Sequence, residues 1–375
     1  MQFQKVLESI TIPTLMVDEI TARLNIQTMA EKAARLGVRF RPHFKTHQSW
    51  IIGEWFREAG VSQITVSSFS MAEYFTAYGW TDILVAFPIN WRELDTIQRL
   101  ASTIHLGVLV DNPESAAFVA NSLTQAIDVW IKVDSGLGRA GVHWQNAANL
   151  MEIIKILGKS PFLTIRGLLT HAGHTYHAGS VDEIQDIARD SIRRLAELRR
   201  HVKDSIKLDI SIGDTPGCTL LDTFDGVDEI RPGNFIFYDA SMLRLGVCQP
   251  EEIAVRLVCP VVGKYPDEGK LILYGGAVHL SKEALHVDGK PIYGWISQAS
   301  ENGWGLPLQQ IPIYSVSQEH SVAMVPGNIF KGNNIGDLVG VVPVHSCLSV
   351  SAMGEYLTHD GKRIPSLRGW LTSRK

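Results

Sequence analysis

The sequence predicts an α/β protein in which a (β/α)8 TIM barrel is followed by a mainly antiparallel β-domain. Short β-rich apolar runs alternate with helix-like segments over the first two-thirds of the 375 residues. Several runs, such as ILVAF and VWIKV, are continuously apolar, as expected of strands buried on both faces. After about Ser241 the helical periodicity fades, and β-rich runs separated by turn residues follow. Eight strands alternating with helices favour a barrel over an open doubly wound sheet.

The individual elements follow from the same patterns. Val181–Lys203 is the clearest helix, because its apolar residues recur at helical spacing with charges between them. The runs KLILYGGAV and DLVGVVPVHSCLSV are typical of the later antiparallel strands. We predict the eight barrel strands at Val38–Phe44, Gln63–Ser68, Asp82–Pro88, Ile104–Asp111, Val129–Asp134, Thr164–His171, Lys207–Gly213 and Glu229–Phe237.

Composition limits the partners and the location. The net charge of −4 argues against a nucleic-acid partner, which usually demands a basic face. No apolar stretch approaches the roughly 20 residues of a membrane span, and the first residues lack the pattern of a secretory signal. The cysteines show no paired short spacings, which fits free thiols in a reducing compartment: Cys218, Cys248, Cys259 and Cys347. We therefore expect a cytoplasmic protein without membrane contact.

The segment RPHFKTHQ contains the first candidate catalytic residue. Lys45 follows the first predicted strand, at the end of the barrel where active sites lie. Burial and the nearby cations Arg41, His43 and His47 would favour a neutral, nucleophilic amine. A lone lysine in a basic turn is more often a surface residue, but its position at the end of the first strand favours a catalytic role here.

Two glycine-containing loops predict a phosphate site. SIGDTPG (Ser211–Gly217) follows the seventh strand, and RPGN (Arg231–Asn234) lies in the eighth. Glycine lets backbone N–H groups approach a phosphate, and Thr215 adds a hydroxyl donor. Each loop alone is as readily an ordinary turn. Together they match the strand ends at which barrels often bind phosphate.

Two further segments follow the fifth and sixth strands. Arg139 in VDSGLGRAG could bind a carboxylate or a phenolic oxygen of a cofactor, with a salt bridge to Asp134 as the structural alternative. THAGHTYH supplies several polar side chains, of which we expect one or two to face the site: His171, His174, Tyr176 and His177.

His345 and Cys347 are a candidate metal pair in the segment VPVHSCLS. On a strand, residues i and i+2 project to the same face, so the imidazole and the thiolate could share one metal ion. A His-x-Cys pair is more often incidental, and a closed structural zinc site would need two more protein ligands. An open site completed by water or substrate would suit catalysis better.

These motifs together resemble those of a known enzyme family. RPHFKTH, KVDSGLGRAGV, THAGHTY, GDTPG, EIRPGNFIFYD and PVHSC resemble, in that order, the motifs of the D-threonine aldolase/D-serine dehydratase family. These are fold-type III pyridoxal-5′-phosphate (PLP) enzymes related to alanine racemase. The resemblance implies a homodimer with active sites near the subunit interface. It also implies a PLP barrel at residues 15–241 and a β-domain at residues 242–375, which residues 1–14 join.

The resemblance also implies roles for individual residues. Lys45 is similar to the Schiff-base lysine of the family. The implied cofactor contacts are Arg139, His171 and Tyr176, and the implied phosphate site comprises Gly213, Asp214, Thr215, Gly233, Asn234 and Tyr238.

His345 and Cys347 match the divalent-metal pair of that family. Zinc is favoured as the metal, with manganese or magnesium as alternatives. Cysteine at the second metal position resembles the D-serine dehydratase branch, whereas the aldolases usually have aspartate there. Leu169 departs from the pattern, because relatives commonly have tyrosine at this position.

We therefore expect a PLP- and metal-dependent lyase for a small D-3-hydroxy amino acid. Because of Cys347, β-elimination to a 2-oxo acid and ammonia is favoured over retro-aldol cleavage to glycine and an aldehyde. In the elimination Lys45 removes the α-proton, whereas in the cleavage a nearby base, such as a histidine, deprotonates the 3-hydroxyl. A racemase would need a second acid/base and no metal. A non-catalytic PLP carrier would not need the added β-domain.

Overall fold

The computed structural model describes residues 2–202, 204–326 and 333–373. The chain forms two compact units. The barrel unit comprises Thr28–Lys45 and Phe56–Gly233, and the β-unit comprises Met1–Gln27, Thr46–Trp55 and Asn234–Lys375. The boundaries predicted at residues 14/15 and 241/242 differ from these. The prediction likewise joined both ends of the chain in one domain, and the β-unit in addition includes Thr46–Trp55.

Eight parallel strands form the wall of the barrel unit within the described residues. From the second to the eighth, each strand pairs with the next, and the eighth pairs with the first. A parallel bridge between His43 and Thr65 joins the first strand to the second and closes the ring. The predicted (β/α)8 barrel is confirmed. Its strands are Arg39–Phe40, Ile64–Val66, Asp82–Pro88, His105–Val110, Ile127–Asp134, Leu163–Leu169, Asp209–Ile212 and Glu229–Ile230.

Helices alternate with these strands. The predicted Val181–Lys203 helix is observed as Val181–Arg200, and residue 203 lies outside the described residues. Ser180 caps this helix by accepting a hydrogen bond from the Glu183 N–H. The other helices are Glu19–Arg35 and Trp50–Glu58, each divided between the units, and Phe69–Ala77, Leu94–Ala101, Pro113–Ser122, Ala147–Leu157 and Thr215–Leu220.

The first and last predicted barrel strands are too long. The eighth ends at Ile230 instead of Phe237, so RPGN follows the strand rather than lying in it. Pro232 has no N–H to donate to a strand ladder, and a 3-10 turn at Asn234–Ile236 follows. The first strand is interrupted in the same way at Pro42, after which only the bridge at His43 continues the ladder.

Antiparallel strands build the β-unit. Val255–Tyr265 pairs with Lys270–Tyr274, and the ring continues through His320–Met324, Leu308–Val316, Gly294–Ser297 and Leu338–Pro343 back to Val255–Tyr265. Its core is aliphatic and includes Leu257, Val261, Leu273, Ile313 and Val341. The remaining strands are Thr14–Val17, Leu285–Val287, Lys290–Ile292, Glu355–Thr358 and Arg363–Pro365, and the helices are Gln2–Glu8, Ala240–Arg244, Ala277–Leu280, Ser346–Met353 and Leu367–Ser373.

The N-terminal strand Thr14–Val17 is part of the β-unit. It pairs antiparallel with Val255–Tyr265 and parallel with Glu355–Thr358. Both ends of the chain therefore contribute strands to the same sheet. No helix among the described residues is long and apolar enough to cross a membrane.

Candidate active site

A cavity of about 370 Å3 opens at the carboxyl end of the barrel strands. That volume is within the usual range of small-molecule sites. Its polar lining is cationic or neutral, with no acidic side chain among the described lining residues. The lining comprises His43, Lys45, Ser67, Lys132, Arg139, His171, Gly213 and Arg231, together with Ala86, Phe87, Pro88, Leu109, Ala140 and Leu169. Such a cavity favours an anionic ligand.

Lys45 reaches this cavity from the turn that follows the first strand. Its backbone N–H donates to His43 Nδ1 at 3.3 Å. The side chain is exposed, contrary to the burial that we expected. The local positive charge also differs from the prediction, because Arg41 is bound to Glu229 Oε2 at 2.9 Å and Asp82 Oδ1 at 2.6 Å.

Lys132 is a second cavity lysine that the sequence analysis missed. It lies on the fifth strand and is only 7% exposed. Burial and, to a lesser extent, the neighbouring Arg231 and Arg139 lower its pKa to about 7 against the opposing effect of Asp134. A single lysine within the apolar run VWIKV was the available signal. On a strand buried on both faces, such a residue is expected to face a cavity or a partner.

Replacing Lys132 by methionine is expected to stabilise the cofactor-free protein. The pKa in the folded chain, about 7, lies below the ordinary value of 10.5, so the unfolded chain binds the proton more tightly. The folded state therefore carries the full cost below pH 7 and loses it as the pH rises to 10.5. We expect a gain on the order of a few kcal/mol in the free energy of unfolding at pH 7.

Denaturant titrations at pH 7 and pH 10 test this expectation. The gain of Lys132→Met over the natural chain should shrink at the higher pH. The matched control is Lys159→Met, at an exposed position on the same unit. A Lys132→Met variant that is less stable at both pH values would contradict the expectation.

His171 is held by the loop that follows the seventh strand. Its Nδ1–H donates to the Gly213 carbonyl oxygen. Desolvation lowers the pKa of His171 to about 3, and the Lys45 and Lys132 cations contribute to the decrease against the opposing effect of the bond to Gly213. The imidazole is therefore neutral at physiological pH, with Nε2 as its unprotonated nitrogen.

Three hydrogen bonds join the loop after the sixth strand to the loop after the seventh. Besides the His171 bond, the Thr175 hydroxyl donates to Asp214 Oδ2 at 3.0 Å, and the Thr215 N–H donates to the Tyr176 hydroxyl at 3.1 Å. Asp214 also accepts from the Gly217 N–H at 2.7 Å, as the cap of the helix Thr215–Leu220. Its carboxylate therefore shapes the loop.

The burial of Asp214 and the close packing of Gly213 against Arg231 complete this part of the site. Burial raises the pKa of Asp214 to about 6. A Cβ at Gly213 would lie 3.0 Å from Arg231 Cβ, so a larger residue there would press against the Arg231 side chain. Arg231 is buried and donates to Ser211 Oγ at 2.7 Å and to the Thr170 carbonyl at 2.6 Å. These bonds present its guanidinium to the cavity.

His345 and Cys347 lie at the start of a helix, so the strand geometry that we predicted for them is wrong. The strand Leu338–Pro343 ends first, His345 is the N-cap residue, and the helix is Ser346–Met353. The two residues still lie within one helical turn of each other. Burial lowers the pKa of His345, but the Cys347 thiolate and the Glu283 carboxylate raise it to about 11.

The donor chemistry of this pair fits an open metal site. Cys347 is buried, with its Sγ 3.3 Å from Thr46 Oγ1, and His345 Nδ1 lies 2.8 Å from Glu283 Oε2. Among the residues that the structure describes, no group of three or more His, Cys, Asp or Glu side chains could hold a metal ion. One nitrogen and one sulfur ligand suit zinc, with the other positions left to water or substrate.

The predicted phosphate-site residues divide between the units. Gly213, Asp214, Thr215 and Gly233 belong to the barrel unit, whereas Asn234 and Tyr238 belong to the β-unit. The Asn234 amide donates to Asp239 Oδ2 at 2.6 Å and to Ser346 Oγ at 3.2 Å. Its side chain therefore supports the helix start that carries Cys347. Tyr238 is buried and has a φ of 47°.

The barrel cavity also fits PLP, which carries an aldehyde, a phenolic oxygen and a phosphate. Lys45 supplies a primary amine, Arg139 a guanidinium, and Gly213 a closely approachable backbone. Leu169, where relatives commonly have tyrosine, lines the cavity with an apolar side chain. The fold and the cavity define a PLP-dependent enzyme with an alanine racemase-like architecture.

The chain belongs to the alanine racemase N-terminal domain family, whose model matches residues 17–241. A second model, the putative serine dehydratase domain, matches residues 254–359. The D-serine dehydratase of Dictyostelium discoideum is 28% identical over 393 residues, covering 96% of this chain and 97% of that protein. The 3-hydroxy-D-aspartate aldolase of Paracoccus denitrificans (strain Pd 1222) is 25% identical over 355 residues, covering 90% and 85%.

A further relative also has a known structure. The D-threo-3-hydroxyaspartate dehydratase of Delftia sp. (strain HT23) is 28% identical over 383 residues, covering 98% of this chain and all of that protein. Its structure matches with a TM-score of 0.87 and 26% identity, over 96% of this chain and 98% of that chain. A cysteine-to-alanine mutant of that enzyme, in the metal-free form, matches with a TM-score of 0.87 and 25% identity, over 96% and 98%. The present chain is a PLP-dependent lyase of the D-serine dehydratase/D-threonine aldolase type.

Proposed function

We propose that the protein is a metal-dependent dehydratase that converts a D-3-hydroxy amino acid to a 2-oxo acid and ammonia. The observation that carries this proposal is the placement of an imidazole and a thiol at one helix start in the β-unit, His345 at the N-cap and Cys347 in the first turn. Two of the relatives that match almost the whole chain are named as dehydratases, which supports the same reaction. The metal-free form of the cysteine mutant of one of them supports a cysteine ligand in this group of enzymes.

Four residues of the barrel cavity have a part in this reaction. PLP, when bound, supplies an electron sink for the charge that develops at the substrate α-carbon. Lys45 Nζ removes the α-proton, acting as the general base. The Arg139 guanidinium and the Lys132 amine provide positive potential for anionic oxygens of the ligand. His171 stays neutral and keeps Nδ1–H on Gly213, which fixes the orientation of its ring.

The β-unit contributes the residues that would bind the metal. His345 and Cys347 would hold a divalent metal, which supplies Lewis-acid assistance to a departing hydroxyl. We propose zinc, because imidazole nitrogen and thiolate sulfur are its preferred ligands. Elemental analysis of the purified protein tests the identity of the metal. The predicted homodimer stays a prediction, which light scattering after size-exclusion chromatography tests.

Product analysis tests the proposed reaction. Purified protein with PLP and zinc is offered D-serine, D-threonine and D-threo-3-hydroxyaspartate, with the L-enantiomers as controls. We expect a 2-oxo acid and ammonia in equal amounts from at least one D-substrate. Glycine and an aldehyde would replace the dehydratase by the retro-aldolase alternative. Accumulation of the enantiomer alone, unaffected by a chelator, would contradict both.

A further inference from the structure

Glu283 contacts the histidine of the proposed metal pair. Its Oε2 lies 2.8 Å from His345 Nδ1, which is hydrogen-bond distance. A metal ion binds imidazole only in its neutral form, so any proton on the second ring nitrogen is released on binding. The neutral ring has one N–H and one unprotonated nitrogen. When a carboxylate accepts the hydrogen bond from Nδ1–H, the free lone pair is on Nε2, ready for a metal ion.

We propose that Glu283 is a positioning residue for the metal centre, fixing the ring orientation and the tautomer of His345. This inference rests on the proposed function, since it assumes that His345 and Cys347 hold a metal. Carboxylate partners of this kind orient histidine ligands and raise their basicity in metal sites. The carboxylate acts through the imidazole and is not itself a ligand in this assignment.

The loop that carries Glu283 is held by contacts of the residues that precede it. Ser281 has a φ of 77°, which non-glycine residues rarely adopt, and its hydroxyl accepts the Glu283 N–H at 3.1 Å. The Ser349 hydroxyl donates to the carbonyl of the buried Leu280 at 3.4 Å. Since Ser349 lies on the helix that contains Cys347, the carboxylate and the thiolate are supported by the same helix.

If this ion pair had only a structural role, its loss would destabilise the metal-free protein and leave zinc binding unchanged. The side chains of His345 and Glu283 are 33% and 46% exposed, and exposed ion pairs contribute little to stability. Loss of Glu283 should therefore leave the metal-free protein as stable as before. A positioning role affects metal binding instead. Glutamine still accepts a hydrogen bond from Nδ1–H, whereas alanine does not.

The experiment measures zinc binding rather than turnover. Metal-free protein that retains PLP is titrated with Zn2+ against a chromogenic chelator. We expect Glu283→Ala to bind zinc about 10–100-fold more weakly than the natural chain. Glu283→Gln should recover most of that loss. Glu301→Ala, at an exposed position on the same unit, should bind like the natural chain. Thermal unfolding of the metal-free forms should be the same for all four proteins.

The outcomes separate this inference from the proposed function. Zinc binding by Glu283→Ala equal to that of the natural chain overturns the positioning role and leaves the dehydratase proposal intact. A Glu283→Gln variant as weak as the alanine variant also overturns it, and indicates a direct carboxylate ligand. Glycine and an aldehyde as products, together with the expected zinc affinities, would overturn the dehydratase and support the positioning role. A natural chain that binds no zinc overturns both.

Discussion

Lys45→Ala is expected to lower turnover about 1,000-fold or more and to abolish covalent attachment of PLP. The general base of a proton transfer is worth roughly 100- to 10,000-fold in rate, and Lys45 would be both the base and the attachment point. Borohydride reduction of the loaded protein, followed by peptide mass spectrometry, locates the attached cofactor. In the natural chain we expect it on the peptide that contains Lys45.

The second cavity lysine makes this experiment informative. Lys132 lines the same cavity, and burial lowers its pKa to about 7, so its amine is also partly neutral at physiological pH. Lys132→Met should keep the cofactor on Lys45, whereas Lys45→Ala should leave no reducible link. Attachment to the Lys132 peptide in the natural chain would contradict the assignment of Lys45.

The barrel was predictable because several of its strands are buried on both faces. Each buried strand appears in the sequence as a continuous apolar run, such as ILVAF, independent of tertiary detail. The position of Lys45 then follows from chain order alone, since the carboxyl ends of barrel strands share one face. The same holds for Arg139, His171 and Gly213, which come after the fifth, sixth and seventh strands and line one cavity.

The predictions that failed concern residues whose partners are distant in the sequence. Arg41 is next to Lys45 in a basic motif, but Glu229 and Asp82, from the eighth and third strands, bind its guanidinium. Asn234 is in a glycine-containing loop, but its amide binds Asp239 and Ser346. Motif composition does not encode such partners.

Local backbone geometry was the other source of error. The apolar run before His345 predicts a strand, and the strand ends at Pro343. The helix that starts at Ser346 is supported by Asp239, whose Oδ2 accepts the Ser346 N–H at 3.0 Å from a residue 107 positions earlier. The metal pair stays a prediction, and the strand geometry from which we inferred it is wrong.

Cys347→Ala is expected to remove the metal and to lower the elimination rate at least about 100-fold. A Lewis-acid contribution of several kcal/mol is usual for a catalytic metal, and each 1.36 kcal/mol is a factor of ten. PLP should still bind, because Lys45, Arg139 and Gly213 belong to the barrel unit. Metal content is measured by elemental analysis, and retention of the cofactor by its visible absorbance.

Two comparison variants isolate the ligand role of this thiol. Cys259→Ala removes another buried cysteine of the β-unit, whose Sγ donates to the Leu257 carbonyl, and it should keep both metal and rate. Cys347→Asp replaces sulfur by oxygen, so it should regain metal with a preference shifted from zinc toward manganese. If Cys347→Ala lost neither metal nor rate, the dehydratase would have to work without a thiolate ligand, and the main support for elimination over retro-aldol cleavage would be gone.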